Sequence, residues 1–459
     1  MDAKTDKPAS ELKELSEEQS VSEGKDRFSS LPSTLLQYIL SFIPTKEVVA
    51  TSILSTRWKY LWTSHPNLIF DEGIADEDPV EKKKFVDFVD WVLTLHDESN
   101  IKTLSITCKD PDQSRIDAWI SAAVQHKVQE LNLDVNVKEC LSFVLLPELV
   151  CRSDSLSILE LQSNLGIVIA TPFSLPNLKI LHLHSVLYSS TLPKKAKEPL
   201  LLNCPVLSEL ILENCEMPDF ESIIISLPSL ESFILLDTYR DSEMKIFAEN
   251  LVHFVYKGGL SNELSLCSTP SLVDAYIEVN TEYTPEDFSL YASKLFRQLS
   301  KVKFLAVTNV TISTLSRFEN FHATLPIFQN LIHFELSTEV ALGDTRLLMA
   351  LLKNSPNVEH LLFEKDIFPK FHIDGDRVMP QSVPTSFPLR LKSVTFDEFG
   401  ASKIELFLVK NLLENAMALE RMTIFSSEKF AEAREKQVML WNYLSKARKG
   451  SKCCLIDFF

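Results

Sequence analysis

The sequence predicts an α/β solenoid preceded by a short helical unit, with parallel strands on the concave face and helices and loops on the convex face. Three observations carry this. First, one apolar triad recurs along most of the chain: apolar, two variable, apolar, one variable, apolar. It occurs about thirteen times between residues 101 and 424, at intervals of roughly 21 to 33 residues. Second, a proline often stands two positions before the triad, where it sets a turn. Third, the 459 residues include only nine glycines, too few and too scattered for the phosphate loops of other α/β folds.

The order of elements starts with a polar, charged stretch, 1–25, expected to be disordered. It lacks the apolar block of a signal peptide. Residues 28–62 then read FSSLPSTLLQYILSFIPTKEVVATSILSTRWKYLW, three short helical pieces. A unit this small cannot build an independent core. It nevertheless carries Leu31, Leu35, Leu36, Ile39, Leu40, Ile43, Val48, Val49, Ile53, Leu54, Trp58, Leu61 and Trp62. The solenoid's own anchors are expected to fill its core, leaving this apolar surface for another protein. The unit is bounded at 26–72. Residues 73–100 form a linker and a helix, in which Phe85, Phe88, Val89, Val92 and Leu93 follow helical spacing. Lys82 to Lys84 read as the solvated start of that helix.

From residue 101 the triads are Ile101/Leu104/Ile106, Val128/Leu131/Leu133, Leu156/Leu159/Leu161, Leu178/Leu181/Leu183 and Leu207/Leu210/Leu212. They continue as Leu230/Phe233/Leu235, Leu251/Phe254/Tyr256, Leu272/Ala275/Ile277, Val302/Leu305/Val307 and Leu331/Phe334/Leu336. The last are Val358/Leu361/Phe363, Leu391/Val394/Phe396 and Leu419/Met422/Ile424. The second and third members are two apart and point to one face of a short strand. The first anchors the turn into it. Units that share a core in this way are leucine-rich repeats. They occupy 101–378, and 379–459 continues the array. Pro176, Pro205, Pro228, Pro270 and Pro356 are expected to end a convex helix before each turn.

Composition excludes several functions. A net charge of -17 opposes both nucleic-acid backbones and anionic membranes. No run approaches the roughly 18 apolar residues of a membrane span. The eight cysteines are scattered without a CxxC pair, which fits a reduced compartment, nucleus or cytoplasm. Cys204 and Cys215 read as small buried side chains. No GxSxG, HExxH or P-loop motif is present. No catalytic residue, metal or cofactor is therefore assigned. His182 and His184 alternate on one strand without a third ligand and read as surface histidines.

Strand alternation names the residues opposite the anchors, on the concave face. The candidates for holding a target are His182, His184, Glu209, Glu213, His253, Lys257, Tyr276, Phe304, His333, Glu335 and His360. Ile180, Ala306, Thr308, Leu362 and Glu364 share that face. The mixture of acids, histidines and apolar groups favours a protein target of basic character. Lys257 and Arg421 are too few to hold a polyanion.

Three features in a fixed order resemble the plant F-box/leucine-rich-repeat proteins with a C-terminal FBD region. The first is Leu31-Pro32, Ile39-Leu40, Leu54-Ser55, Arg57-Trp58 and Leu61-Trp62. The second is the irregular repeat array. The third is Val383-Pro384, Leu391-Lys392-Ser393-Val394, and Leu412-Leu413-Glu414-Asn415-Ala416 before Leu419-Glu420. The tryptophan usual near the start of that last region has no counterpart around Met379. The resemblance implies a non-catalytic substrate receptor of an SCF-type ubiquitin ligase. Its F-box would dock a Skp-type adaptor, and through it a cullin-RING ligase, by Leu31, Pro32, Leu35, Ile39, Leu40, Val48, Leu54, Trp58, Leu61 and Trp62. A repeat scaffold without ligase role, or a receptor for a small molecule, are the alternatives.

Overall fold

In the computed structural model the described residues are 31–459 apart from 74–77, 98, 139–142, 171, 190–199, 219, 221, 241, 261, 281–286, 319, 338–344, 365–389, 402 and 433. The segment expected to be disordered, 1–25, and the residues Met379, Val383 and Pro384 lie outside them.

The helical unit comes first. Helix α1 spans Ser33–Leu40 and α2 spans Thr45–Ala50. Pro32 and Pro44 stand directly before them. Proline fits there because the first turn has no use for its missing N–H. Short 3₁₀ turns follow at Thr51–Ile53 and Leu61–Ser64. Strand β1 (Asn67–Asp71) comes next, within the stretch bounded as the helical unit. Helix α3 (Pro79–Leu95) begins at Asp78, whose carboxylate accepts the Val80 N–H at 2.9 Å. It buries Val89, Val92 and Leu93. Lys84 pairs with Glu81 on its solvated side.

The concave ladder then runs in chain order. Its strands are β2 (Thr103–Lys109), β3 (Glu130–Asn136), β4 (Ile158–Ile169), β5 (Ile180–Tyr188) and β6 (Glu209–Glu213). Next come β7 (Ser232–Leu236), β8 (His253–Gly258), β9 (Asp274–Val279), β10 (Phe304–Thr308) and β11 (His333–Ser337). The last are β12 (His360–Phe363), β13 (Ser393–Phe399), β14 (Arg421–Ser426) and β15 (Leu455–Phe458). Each pairs in parallel with the next, from β1 to β15. The ladder thus extends one strand beyond the triads at each end.

The middle triad residues stand in one register. Leu104 aligns with Leu131, Leu131 with Leu159, and the row continues through Leu181, Leu210, Phe233 and Phe254 to Met422. All of these are buried. Entry into each strand is also fixed. One carbonyl accepts two successive N–H groups of the following unit: Ser208 O takes Glu231 at 2.9 Å and Ser232 at 3.0 Å. The same fork recurs at Glu231, Val252, Val273, Lys303, Ile332, Glu359 and Lys392.

The convex layer differs from expectation in the middle of the array. Before Pro228 and Pro270 the preceding elements are strands, Ser222–Ser226 and Leu264–Ser268. Together with Leu200–Leu201 and Glu243–Phe247 they form a second parallel sheet. The units anchored at Leu230, Leu251 and Leu272 are short, and Ile223, Ile224 and Ile225 are β-branched. A short return rich in such residues favours a strand over a helix. Among the described residues only Pro356 follows a helix, Thr345–Lys353. Elsewhere helices such as α4 (Gln113–Gln125) cover the convex side. No described helix is long and apolar enough to cross a membrane.

One hydrophobic core runs from Leu36 to Cys454. This corrects the expectation that the solenoid has little need of the helical unit. Leu36, Leu40, Val48, Trp58 and Trp62 are buried in the shared core. Trp62 stacks on Trp91 of α3, ring centroids 4.6 Å apart. Thr45 Oγ1 accepts the Ile69 N–H at 2.7 Å, and Asn67 Nδ2 donates to Ser41 O at 3.1 Å. The unit therefore caps the outer edge of β1. Trp62→Ala should cost about 3–5 kcal/mol, the usual range for a buried aromatic. Hydrogen exchange of β1 and β2 should accelerate in that variant. Unchanged protection there would show that the cap and the ladder are energetically separate.

A buried imidazole adds a pH dependence. His65 is in the core, and its Nε2 has no hydrogen-bond partner among the described residues. Burial, aided by nearby His96, pushes its pKa down to about 4 from 6.5. The unfolded chain binds that proton first as pH falls. The stabilisation is complete above pH 6.5 and is lost as pH falls towards 4. Urea midpoints should therefore decline over this window, and less steeply for His65→Gln than for the parent. Parallel curves for the two proteins would refute this assignment.

Candidate docking surfaces

On α1 the apolar residues divide between two faces. Leu36 and Leu40 turn inward. Leu35, Tyr38, Ile39 and Phe42 follow helical spacing on the other side and are exposed, Phe42 by 72%. Tyr38 and Phe42 pack edge to face at 5.0 Å. The turn after α2 adds Ile53 and Leu54, exposed by 86% and 65%, and Tyr60 is exposed as well. Arg57 ties this turn to the start of α1, donating to Leu31 O and, at 3.3 Å, to Ser33 Oγ. The result is an uncovered patch of large apolar side chains on the helical unit. Patches of this kind on a soluble protein mark an interaction surface.

This divides the expected adaptor contacts. Pro32, Leu35, Ile39 and Leu54 are exposed, and Leu31 and Leu61 are partly buried against the core. Leu40, Val48, Trp58 and Trp62 are corrected to core positions: they are at most 7% exposed and already in contact with the chain's own apolar groups. Tyr38, Phe42 and Tyr60 join the surface without having been expected there. The 3.6-residue period through Leu35, Ile39 and Phe42 is the signal that could have found Phe42.

The concave face carries the second set of candidates. The pairing register brings residues from separate repeats side by side, and several carboxylates meet a histidine or a cation. His182 lies between Glu209, at 2.7 Å, and Glu160, at 3.4 Å. His184 faces Glu213 at 3.2 Å, and His253 faces Asp274 at 2.7 Å. Lys257 pairs with Glu278 and Arg421 with Asp457, both at 3.4 Å. The two cations considered for a polyanion are thus neutralised by partners of their own. Glu160, Gln162, His182, His184, Ile211 and Glu213 line a cleft of about 220 Å³. Beside it, burial raises the Asp134 carboxyl above its ordinary range.

Further along, the rings of His333 and His360 stack at 4.4 Å with 15° between their planes, and Phe304 leans over His333 at 6.4 Å. His360 Nδ1 lies 2.7 Å from Ser393 Oγ. Burial and the neighbouring His360 lower the His333 pKa. Tyr276 hydrogen-bonds Glu278 at 3.4 Å, and Ser337 donates to Glu364 at 2.9 Å. Ala306 and Thr308 are corrected to buried positions. Ala306 sits in register between the larger residues Tyr276 and Glu335. Thr308 caps the helix Asn309–Leu315, accepting the Thr311 N–H. Cys204 and Cys215 are buried as expected, and burial pushes their thiols up to about 11 and 12, away from reactivity.

Glu335 is half-buried beside Glu364, and its pKa rises to about 7, first through burial and then through the second carboxylate. The folded chain keeps this proton where the unfolded chain, near 4.5, has lost it. The resulting stabilisation is complete below about pH 4.5 and is lost as pH rises through 7. Glu335→Gln, neutral throughout, should raise the thermal midpoint at pH 8 and leave it nearly unchanged at pH 4.5. Calorimetry at the two pH values decides, and no gain at pH 8 would sink the idea.

The chain matches known families and proteins along most of its length. Residues 28–70 match the F-box domain model. Residues 92–454 match the leucine-rich-repeat domain model described for At1g61320/AtMIF1. A putative F-box/FBD/LRR-repeat protein of Arabidopsis thaliana is 29% identical, over 94% of this chain and 88% of the relative. An F-box/LRR-repeat protein of the same plant is 30% identical, over 87% and 88%. A putative FBD-associated F-box protein, also from Arabidopsis thaliana, is 28% identical over 94% and 99%.

Proposed function

The chain belongs to the F-box/leucine-rich-repeat family, and from that premise we propose that it is the substrate-recognition subunit of an SCF-type ubiquitin ligase. In this reading the helical unit docks a Skp-type adaptor, which connects to the cullin-RING ligase. The concave face holds a target protein near the ubiquitin-loaded enzyme. Catalysis is then proximity supplied by the assembly, with no chemistry on this chain. The free cysteines among the described residues support work in the cytoplasm or nucleus.

The observation that carries the docking role is the apolar patch of Leu35, Tyr38, Ile39, Phe42, Ile53 and Leu54. The unit's inner residues already fill the shared core, and these outer ones are left uncovered among the described residues. Burying each large apolar side chain at an interface is worth roughly 1.5–3 kcal/mol. A few of them are enough for stable docking. On the concave face, Glu160, Glu209 and Glu213 stand against histidines rather than against lysines or arginines. At neutral pH that face favours cationic groups on the target.

Leu35→Glu combined with Leu54→Glu should abolish co-purification with a Skp-type adaptor, a loss of at least a hundredfold in affinity. Both residues are exposed, so the thermal midpoint should stay near that of the parent. Adaptor binding that survives this pair, with the fold intact, would overturn the docking surface, and a parent chain that binds no adaptor would be a repeat scaffold outside the ligase.

A further inference from the structure

The two ends of the ladder are finished differently. The outer edge of β1 is covered by the helical unit, with Thr45 Oγ1 accepting from the Ile69 backbone. The outer edge of β15 pairs with no strand among the described residues. Leu455 N–H donates inward to Glu420 O, and Phe459 N–H inward to Ile424 O, both at 2.9 Å. Strand alternation therefore turns the N–H groups of Ile456 and Phe458 outward. Unpaired edge groups of this kind are a template for an added strand.

Two further features distinguish this edge. Leu455 and Phe459 are exposed by 60% and 66%, and Phe459 stacks on Phe425 at 5.3 Å. The approach to the strand, residues 446–452, reads KARKGSK, four cations without an acid, in a chain of net charge -17. Lys449 holds this loop against the strand by donating to Cys454 O at 3.1 Å. Lys446, Arg448 and Lys452 are exposed and make no ion pair with any described residue. Open backbone groups, apolar side chains and local positive charge thus coincide.

We propose that the outer edge of β15 is a second docking surface, which takes an extended, acidic segment of a partner protein as an added strand. Backbone hydrogen bonds give the affinity, as in other cases of strand addition. Leu455 and Phe459 supply apolar contact, and Arg448 and Lys452 select acidic over basic segments. The surface is independent of adaptor docking at the other end of the ladder.

The test uses the full chain and fluorescein-labelled decapeptides, read by anisotropy. One peptide alternates glutamate with valine, one alternates lysine with valine, and one carries two prolines in the acidic pattern. The acidic peptide should bind saturably, and at least tenfold tighter than either of the others, because proline cannot donate to the edge. Its affinity should fall with added salt and drop at least tenfold in the exposed double variant Arg448→Glu/Lys452→Glu. Leu455→Glu should also weaken it. No saturable binding, equal binding of the lysine peptide, or equal binding of the proline peptide each overturns the proposal. So does concentration-dependent self-association abolished by Leu455→Glu, which would make a second copy the occupant.

Discussion

The carbonyl that receives two N–H groups from the next unit is the constraint on which the molecule depends. At Ser208, Glu231, Val252 and their counterparts, this fork fixes where each strand begins. With the start fixed, the middle triad residue must face its equivalents, and a slip by one residue would turn the apolar row outward. The row from Leu68 through Phe254 to Met422 is buried because register leaves it nowhere else to go. The convex return can then vary. A helix such as Gln113–Gln125 or a strand such as Ser222–Ser226 meets the same requirement, which is to cover the core and come back to the next fork.

The same ladder decides what the ends are for. At β1 the first edge is closed by Thr45, Asn67 and the Trp62–Trp91 stack. The helical unit thereby becomes the cap that a solenoid needs at its terminus. Because its inner face is used in this way, the apolar residues on its outer face have a fixed presentation. In the proposed role, a docking unit that shares its core with the repeats would hold the adaptor at a set distance and angle from the concave face. Transfer by proximity within an assembly requires that kind of rigidity.

On the concave face the register determines the electrostatics. Residues roughly 27 positions apart in sequence become neighbours, so His182 meets both Glu160 and Glu209 and the Glu335 carboxyl meets Glu364. The face is a set of bonded pairs rather than a field of free charges. Its response to pH is accordingly local: a shared proton at Glu335, and a buried neutral imidazole at His65 beneath the cap. These groups act in opposite directions, the first favouring low pH and the second favouring high pH.

The ladder was legible in the sequence because its information is local. A triad such as Leu207/Leu210/Leu212 states strand, face and anchor within six residues, and the prolines state the turns. The strands Asn67–Asp71 and Leu455–Phe458 escaped the triad pattern because His65 and Cys453 stand where the other units carry a larger apolar anchor. The convex strands escaped because proline signals a turn without saying what precedes it. In the helical unit, periodicity separated Leu36 and Leu40 from Leu35, Ile39 and Phe42, but not which set faces inward. Trp58 and Trp62 show the difference most plainly. Sequence marks them as large apolar groups in need of cover. Only the shared core, with Trp91 of α3 stacked on Trp62, supplies it from within the chain, and it leaves Leu54 and Phe42 exposed. Burial is set by contacts between distant segments, and those exist only once the ladder is built.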